Sequence, residues 1–395
     1  MGTRVGVGMS HHHNPEHAGT EAVELAMRNG DIRAPDFVFI FASVGYNQQV
    51  LIDTVNRASG GAPMSGCSGE GIISLGEADE SNFSVATMVI QSDELVFRNA
   101  YSTGLKHNSG LCGEKIARKL LTVVNDETIG VFVFADGLTL NFDQFKNAFE
   151  GNLKLDRFLP MFGGLSADNW EMKQTYQYCN GHVFSDGAVC ALMSGKAQIA
   201  WVVNHGCVPI GAEHEITRCE GNTIYEIDSM PVLEVFKEYL DEEEINNWSR
   251  AVVNLCLGFK TPTAMEGYDE YLIRFMPTKD DEKGCITIST ETENGTTFWM
   301  TRRDQEKIAD GVRSAAAHIK EATGNRSIKM VFHFDCAGRG KVVFRDQQKI
   351  QLLKELQEKV GSAIPWIGFY TLGEIGPVGN KNHFHNYTAI ISAVY

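Results

Sequence analysis

The sequence predicts an α/β protein of layered sheets built from three related β-α-β-α-β units. Two observations predict it. Unbroken apolar runs that read as strands buried on both faces occur at Phe37–Phe41, Val131–Phe134 and Met330–Phe334. After each comes a helical stretch and then a Pro-x-x-Gly, at Pro63, Pro160 and Pro365.

The first unit opens with a short strand, Arg4 to Ser10, where apolar and small residues alternate. Ala22, Leu25 and Ala26 then mark a helix over Glu21 to Arg28, and Gln48 to Ala58 reads as a second. Past Pro63-Met64-Ser65-Gly66-Cys67-Ser68-Gly69-Glu70-Gly71, the runs Phe83 to Ile90 and Leu95 to Tyr101 predict a β-hairpin turning at Gln91 to Glu94.

The order then recurs. Ile116, Ala117, Leu120, Leu121 and Val124 share a helix face, and Phe142, Phe145 and Phe149 share another. Between them the apolar strand ends at Ala135-Asp136. Pro160 to Asp168 repeats the Pro-x-x-Gly loop, and a second hairpin is expected from Gly187 to Met193 and Gln198 to Asn204.

In the third unit, Ile308, Val312, Ala315, Ala316 and Ile319 give the first helix; Ile350, Leu353, Leu356 and Val360 give the second. Pro365 follows, and Thr388 to Val394 is a last strand without a hairpin mate. The N-terminal strand, Arg4 to Ser10, is expected to take that place and close the assembly. Non-repeating sequence separates units two and three, with a helix expected over Val232 to Trp248. It also holds strands at Tyr271–Met276, Cys285–Ser289 and Thr296–Thr301, the last two joined by a type I′ turn at Asn294-Gly295. A domain boundary is placed near Tyr225, giving domains 1–224 and 225–395.

Composition narrows the function classes. At 395 residues, 43% hydrophobic, the chain can bury more than one core. A net charge of −15 without a Lys/Arg cluster argues against nucleic-acid and anionic-membrane partners. The nine cysteines include no Cys-x-x-Cys, which argues for a reducing compartment, and no apolar run reaches the roughly 18 residues of a membrane span. A cytoplasmic protein is expected. P-loop, Gly-x-Gly-x-x-Gly after a strand and His-Glu-x-x-His motifs are all missing, and no kinase, cyclase or DNA-binding module is expected. His11, His12, His13 and His17 read as a solvated loop rather than a metal site.

Several motifs together resemble one family. Gly66-Cys67-Ser68, Phe162 to Asp168, Phe334 to Gly340, Gly368 to Pro377 and His385-Asn386-Tyr387-Thr388 are similar, in order, to the FIST sensory family. The resemblance covers nearly the whole chain, as an N-terminal and a C-terminal domain. It implies an intracellular signal-transduction protein that binds a small ligand such as an amino acid. Some members bind haem and sense nitric oxide. One departure stands out: where the family's first loop has Gly-Glu-Ile, this chain has Gly71-Ile72-Ile73, and the carboxylate sits two positions earlier, at Glu70.

Ligands of open α/β sheets bind beyond the carboxyl ends of the strands. The candidate ligand-binding residues are therefore Cys67, Ser68, Glu70, Asp136, Asp168, Asp335, Cys336, Arg339, Glu374, His385 and Asn386. Arg339 suits a carboxylate and Asp335 or Glu374 an ammonium; the alternative is that these groups satisfy one another. A single site would lie between Asp335-Cys336 and Glu374. Cys67 and Cys336 sit where a nucleophile could, but His333 falls on the opposite strand face from Cys336. No cofactor is required. Haem stays an alternative through His205, His333, His383, His385 or Cys336, as does a cysteine-dependent enzyme. The expectation is a non-catalytic sensor signalling to a partner protein in trans, with homo-oligomerisation open.

Overall fold

The computed structural model describes residues 2–260, 271–324 and 326–395. Unit one runs β1 (Thr3–Ser10), α1 (Pro15–Asn29), β2 (Phe37–Ala42), α2 (Gln48–Ala58), β3 (Met64–Ser68), β4 (Gly71–Ser74), β5 (Glu77–Asp79) and β6 (Val85–Ser92). Unit two runs β7 (Leu95–Thr103), α3 (Leu105–Leu120), β8 (Thr128–Asp136), α4 (Phe142–Leu153), β9 (Met161–Ser166), β10 (Gln177–Cys179), β11 (His182–Phe184) and β12 (Gly187–Gly195).

Next comes β13 (Ile199–Asn204), then β14 (Cys207–Glu220), β15 (Thr223–Ile227) and β16 (Met230–Pro231). Helices α5 (Val232–Phe236), α6 (Glu242–Asn246) and α7 (Trp248–Asn254) follow. The insert ends with β17 (Leu255–Lys260), β18 (Tyr271–Arg274), β19 (Lys279–Asp280), β20 (Cys285–Thr287) and β21 (Thr297–Arg303). Unit three is α8 (Gln305–Thr323), β22 (Met330–Cys336), α9 (Asp346–Gly361), β23 (Trp366–Thr371), β24 (Glu374–Val378), β25 (Lys381–His385) and β26 (Ala389–Val394).

Three six-stranded sheets share one order: β1-β6-β2-β3-β10-β11, β7-β12-β8-β9-β24-β25 and β13-β26-β22-β23-β4-β5. Each unit thus lends two strands to the sheet of one other unit. The strand after each Pro-x-x-Gly strand joins another unit's sheet: β4 lies on β23, β10 on β3 and β24 on β9.

Neither expected hairpin forms. β6 has β1 on one edge and β2 on the other, so β7 has no edge of β6 to use and pairs with β12 instead. Likewise β12 is flanked by β7 and β8, and β13 pairs with β26. Both turns are corners between sheets. The N-terminal strand does not become the mate of Thr388–Val394, because both edges of β26 are taken by β13 and β22; β1 pairs with β6 instead, in the place that β7 and β13 occupy on β12 and β26.

The three sheets face a common aromatic core. Alternation turns Phe39, Phe132 and Phe332 inward, with ring centroids 5.3, 4.9 and 4.2 Å apart pairwise. Phe41, Phe134 and Phe334 form the next layer. Fully burying each such side chain is worth roughly 1.5–3 kcal/mol. The Pro-x-x-Gly motif has a steric cause: a Cβ at Gly66, Gly163 or Gly368 would lie 1.7, 2.0 or 1.7 Å from the carbonyl oxygen of Ile40, Val133 or His333. Only glycine lets each parallel strand approach its neighbour.

The outer faces carry the helices: α1 and α2, α3 and α4, and α8 and α9 each cover one sheet. The insert builds a fourth sheet, β18-β17-β21-β14-β15-β20-β19, with β16 on β15 and a core of its own. Two expectations fail there. The helix expected over Val232 to Trp248 is broken, because Asp241 starts a new one with a capping box to Glu244. β20 and β21 do not pair across Asn294-Gly295; β20 lies between β15 and β19, and β21 between β14 and β17. Among the described residues, no helix is long and apolar enough to cross a membrane.

Candidate functional site

Shared geometry allows the units to be compared position by position. The carbonyl contacts of the three glycines make Ile40, Val133 and His333 equivalent, and two residues on stand Ala42, Ala135 and Asp335. Five residues after each proline stand Ser68, Leu165 and Tyr370. The second helices are capped at Asn47, Asn141 and Arg345; four residues into each lie Leu51, Phe145 and Lys349. All these side chains face the layer between sheet and helices, and all are buried except Asp335, which is slightly exposed. In unit one the layer at these positions is Ile, Ala and Leu around one serine, and in unit two it is wholly apolar. Unit three holds His, Asp, Tyr and Lys there.

Buried charge of this kind costs several kcal/mol per ion unless it is paired, so unit three gives up stability that its sisters keep. The pairing is nearly complete. Lys349 Nζ donates to Glu80 Oε1 at 2.5 Å and to Asp346 Oδ1 at 3.1 Å, and stands over the Tyr370 ring. Glu80 also accepts the Lys341 backbone N–H, and a Cβ on Gly340 would meet its carboxylate. Asp335 accepts from Arg339 Nε at 2.7 Å and lies 3.5 Å from His333 Nε2. Burial pushes the Asp335 carboxyl up, but Arg339 and His333 pull it further down, so it stays ionised below the usual range. Arg339 Nη1 donates to the His205 carbonyl, and His333 Nδ1 is buried without a partner.

These groups border a cavity of ≈ 40 Å³ lined by Asn204, His333, Asp335, Arg339, Lys349 and Tyr370 together with apolar residues of α8, α9 and β26. At about 10–15 Å³ per water it has room for about three waters. On its far side, Glu80 and Asp346 belong to an open cleft of ≈ 490 Å³ shared with His11, Glu77, Asp79 and Lys341. The Glu80–Lys349 pair stands between the two spaces.

The other sequence-predicted residues lie elsewhere. Ser68 donates to the Ala167 carbonyl and accepts from Tyr176 N, tying two loops together. Asp136 accepts from Leu138 N and Asp186 N, and Asp168 from the N–H groups of Met172, Lys173 and Gln174. Both carboxylates organise loops. Glu70 accepts from Trp170 N, and burial pushes its carboxyl up to about 7. Cys67 is packed in the aromatic core, where burial pushes its thiol up.

Glu374 and Cys336 are adjacent to one another but not to the cavity. Glu374 accepts from Thr371 Oγ1 and Thr388 N, fastening the end of β23 to the start of β26; burial raises its pKa strongly. The Cys336 thiol is likewise raised by burial, and packs with Cys207, Cys256, Ile273 and Tyr387. Asn386 accepts from Phe275 N and Ser289 Oγ, joining the insert to unit three. His385 Nε2 meets the Gly376 carbonyl, and burial drives this ring strongly towards the neutral form.

Of the sequence-predicted residues, then, the structure brings Asp335 and Arg339 together at the cavity. Lys349, Tyr370, Asn204 and the adjoining Glu80 were missed. Lys349 carried a readable signal: aligning the three helix caps sets it against Leu51 and Phe145.

The cavity itself is too small for haem. His333 faces a space far below the roughly 300 Å³ at which small-molecule pockets begin; Nδ1 of His205 accepts from Cys207 N, and Nε2 of His385 meets the Gly376 carbonyl. The histidines near the N-terminus are also engaged: His11 pairs with Glu77 and Asp79, His12 stacks on His17, and His13 on Phe83. Among the described residues, no cluster of three or more His, Cys, Asp or Glu is arranged to hold a metal ion.

The chain matches the FIST N domain over residues 36–230 and the FIST C domain over residues 233–377. An uncharacterized protein of Mycobacterium tuberculosis is 25% identical over 98% of both chains. One from Methanocaldococcus jannaschii is 25% identical over 66% of this chain and 51% of its own. Among solved structures, a chorismatase aligns over 91% of this chain and 92% of its own, with 7% identity and a TM-score of 0.37.

Proposed function

This chain belongs to the FIST family of signal-transduction sensory domains, and we propose that it senses a small ligand held in the cavity of unit three. The ligand is an amino acid or similarly small metabolite, and the signal passes to a partner protein in trans. The protein is non-catalytic and acts in the cytoplasm.

One observation carries the reading. Where the sister units pack Ile40, Ala42 and Leu51 or Val133, Ala135 and Phe145, unit three places His333, Asp335 and Lys349 around an internal space. A repeat that needed only to fold had apolar solutions, used twice in the same chain. The cysteine-enzyme alternative gains no support, because Cys67 and Cys336 are buried thiols shifted away from the reactive thiolate.

Thermal-shift screening against amino acids and small metabolites tests the proposal. A ligand of the native state raises the melting temperature by linkage. A flat response across a broad panel, with the protein shown to be ligand-free and folded, would overturn it.

A further inference from the structure

We infer that the group this cavity takes is the carboxylate of its ligand. The inference rests on the small-ligand reading above and narrows its chemistry.

The argument is a count of remaining hydrogen-bonding capacity. Arg339 commits Nε to Asp335 and Nη1 to the His205 carbonyl, while Nη2 has no partner among the described residues. The Tyr370 hydroxyl makes no hydrogen bond either, and burial keeps its proton on. Lys349 uses Nζ on Glu80 and Asp346, which leaves the third of its three N–H groups. The spare capacity of Arg339, Tyr370 and Lys349 is therefore donor capacity, part of it on cations.

The charged acceptors here are already engaged. Asp335 is committed to Arg339 and His333, and Glu80 lies behind Lys349. His333 Nδ1 is an acceptor without a partner when Nε2 carries the proton towards Asp335. A neutral imidazole nitrogen can accept a hydrogen bond but cannot neutralise an ammonium. An oxyanion, in contrast, would meet a guanidinium edge, a phenol and an ammonium, the strong charge-assisted donors for a carboxylate.

Size agrees. Room for about three waters is room for a carboxylate and little else. Behind Glu80 the ≈ 490 Å³ cleft offers space for the rest of a larger ligand. A free small carboxylate and the head of an amino acid share this chemistry.

Calorimetric titration of the full chain with acetate, glycine and methylammonium, at matched ionic strength, tests the inference. Acetate, glycine or both are expected to bind, and methylammonium is not. Acetate alone would identify a free carboxylate as the ligand, and glycine alone the head of an amino acid. Tyr370→Phe removes a hydroxyl that bonds nothing in the protein, so it should melt like wild type while binding the carboxylate roughly tenfold or more weakly. Binding of methylammonium, or carboxylate binding unaffected by Tyr370→Phe, would overturn the inference and leave the sensory reading standing. If none of the three probes binds, the inference fails; the sensory reading fails with it only when the broad metabolite panel is silent too.

Discussion

Lys349 Nζ lies 2.5 Å from Glu80 Oε1, with both side chains at least 96% buried. The pair joins unit three's second helix to the segment that follows β5 in unit one, 269 residues away in sequence. It also separates the inner cavity from the open cleft.

Breaking one half of this pair should cost far more than removing both. Lys349→Met leaves the Glu80 carboxylate buried against the Lys341 N–H alone, and a destabilisation of about 3–5 kcal/mol is expected. Adding Glu80→Gln should recover much of it. Urea unfolding of the two variants reads the difference directly, and equal losses would refute the pairing.

The glycines of the Pro-x-x-Gly motif should be irreplaceable for a steric reason. At Gly368 a methyl group would sit 1.7 Å from the His333 carbonyl oxygen, so Gly368→Ala must push two paired strands apart. A loss of about 3 kcal/mol or more is expected. Gly151 in α4 is the control, since a Cβ there meets nothing within 4 Å. Gly151→Ala should stabilise by roughly 0.5–1 kcal/mol through helix propensity. Thermal denaturation of both variants checks the pair of signs.

Glu70 predicts a pH dependence. Its folded pKa, about 7, lies above the value of 4.5 for a free glutamate. The folded state therefore holds this proton more tightly than the unfolded state does. The favourable contribution is complete below about pH 4.5 and is lost as pH rises through 7, by roughly 3 kcal/mol in all. Glu70→Gln keeps an acceptor for Trp170 N and removes the titration. It should match wild type near pH 4 and exceed it in stability at pH 8; parallel stability curves would show that Glu70 does not titrate this way.

Much of this architecture was legible from periodicity. The apolar strands at Phe37, Val131 and Met330, the helices flanking them and the three prolines all stand where their patterns put them. The hairpins did not, because local pattern gives a strand but not its neighbour. Leu95–Thr103 reads as the mate of Val85–Ser92, yet both edges of the latter are taken by strands from far away in sequence. The site was half legible for a similar reason. Asp335 and Arg339 sit in a conspicuous motif at a strand end, whereas Lys349 sits in a helix whose amphipathic pattern hides it. Its meaning appears only when the repeats are laid over one another, and Glu80 becomes its partner only through the fold.

The most direct test of the account is to give unit three the residue of its sister. His333→Val installs the Val133 side chain and leaves the buried Asp335 paired with Arg339, so the variant should still fold. The measurement is the ligand-induced shift in melting temperature of both proteins against one panel of amino acids and small carboxylates. The account predicts a shift in wild type for at least one compound and its loss in His333→Val. An equal shift in the two proteins would place the ligand elsewhere and contradict the claim that unit three is polar in order to bind.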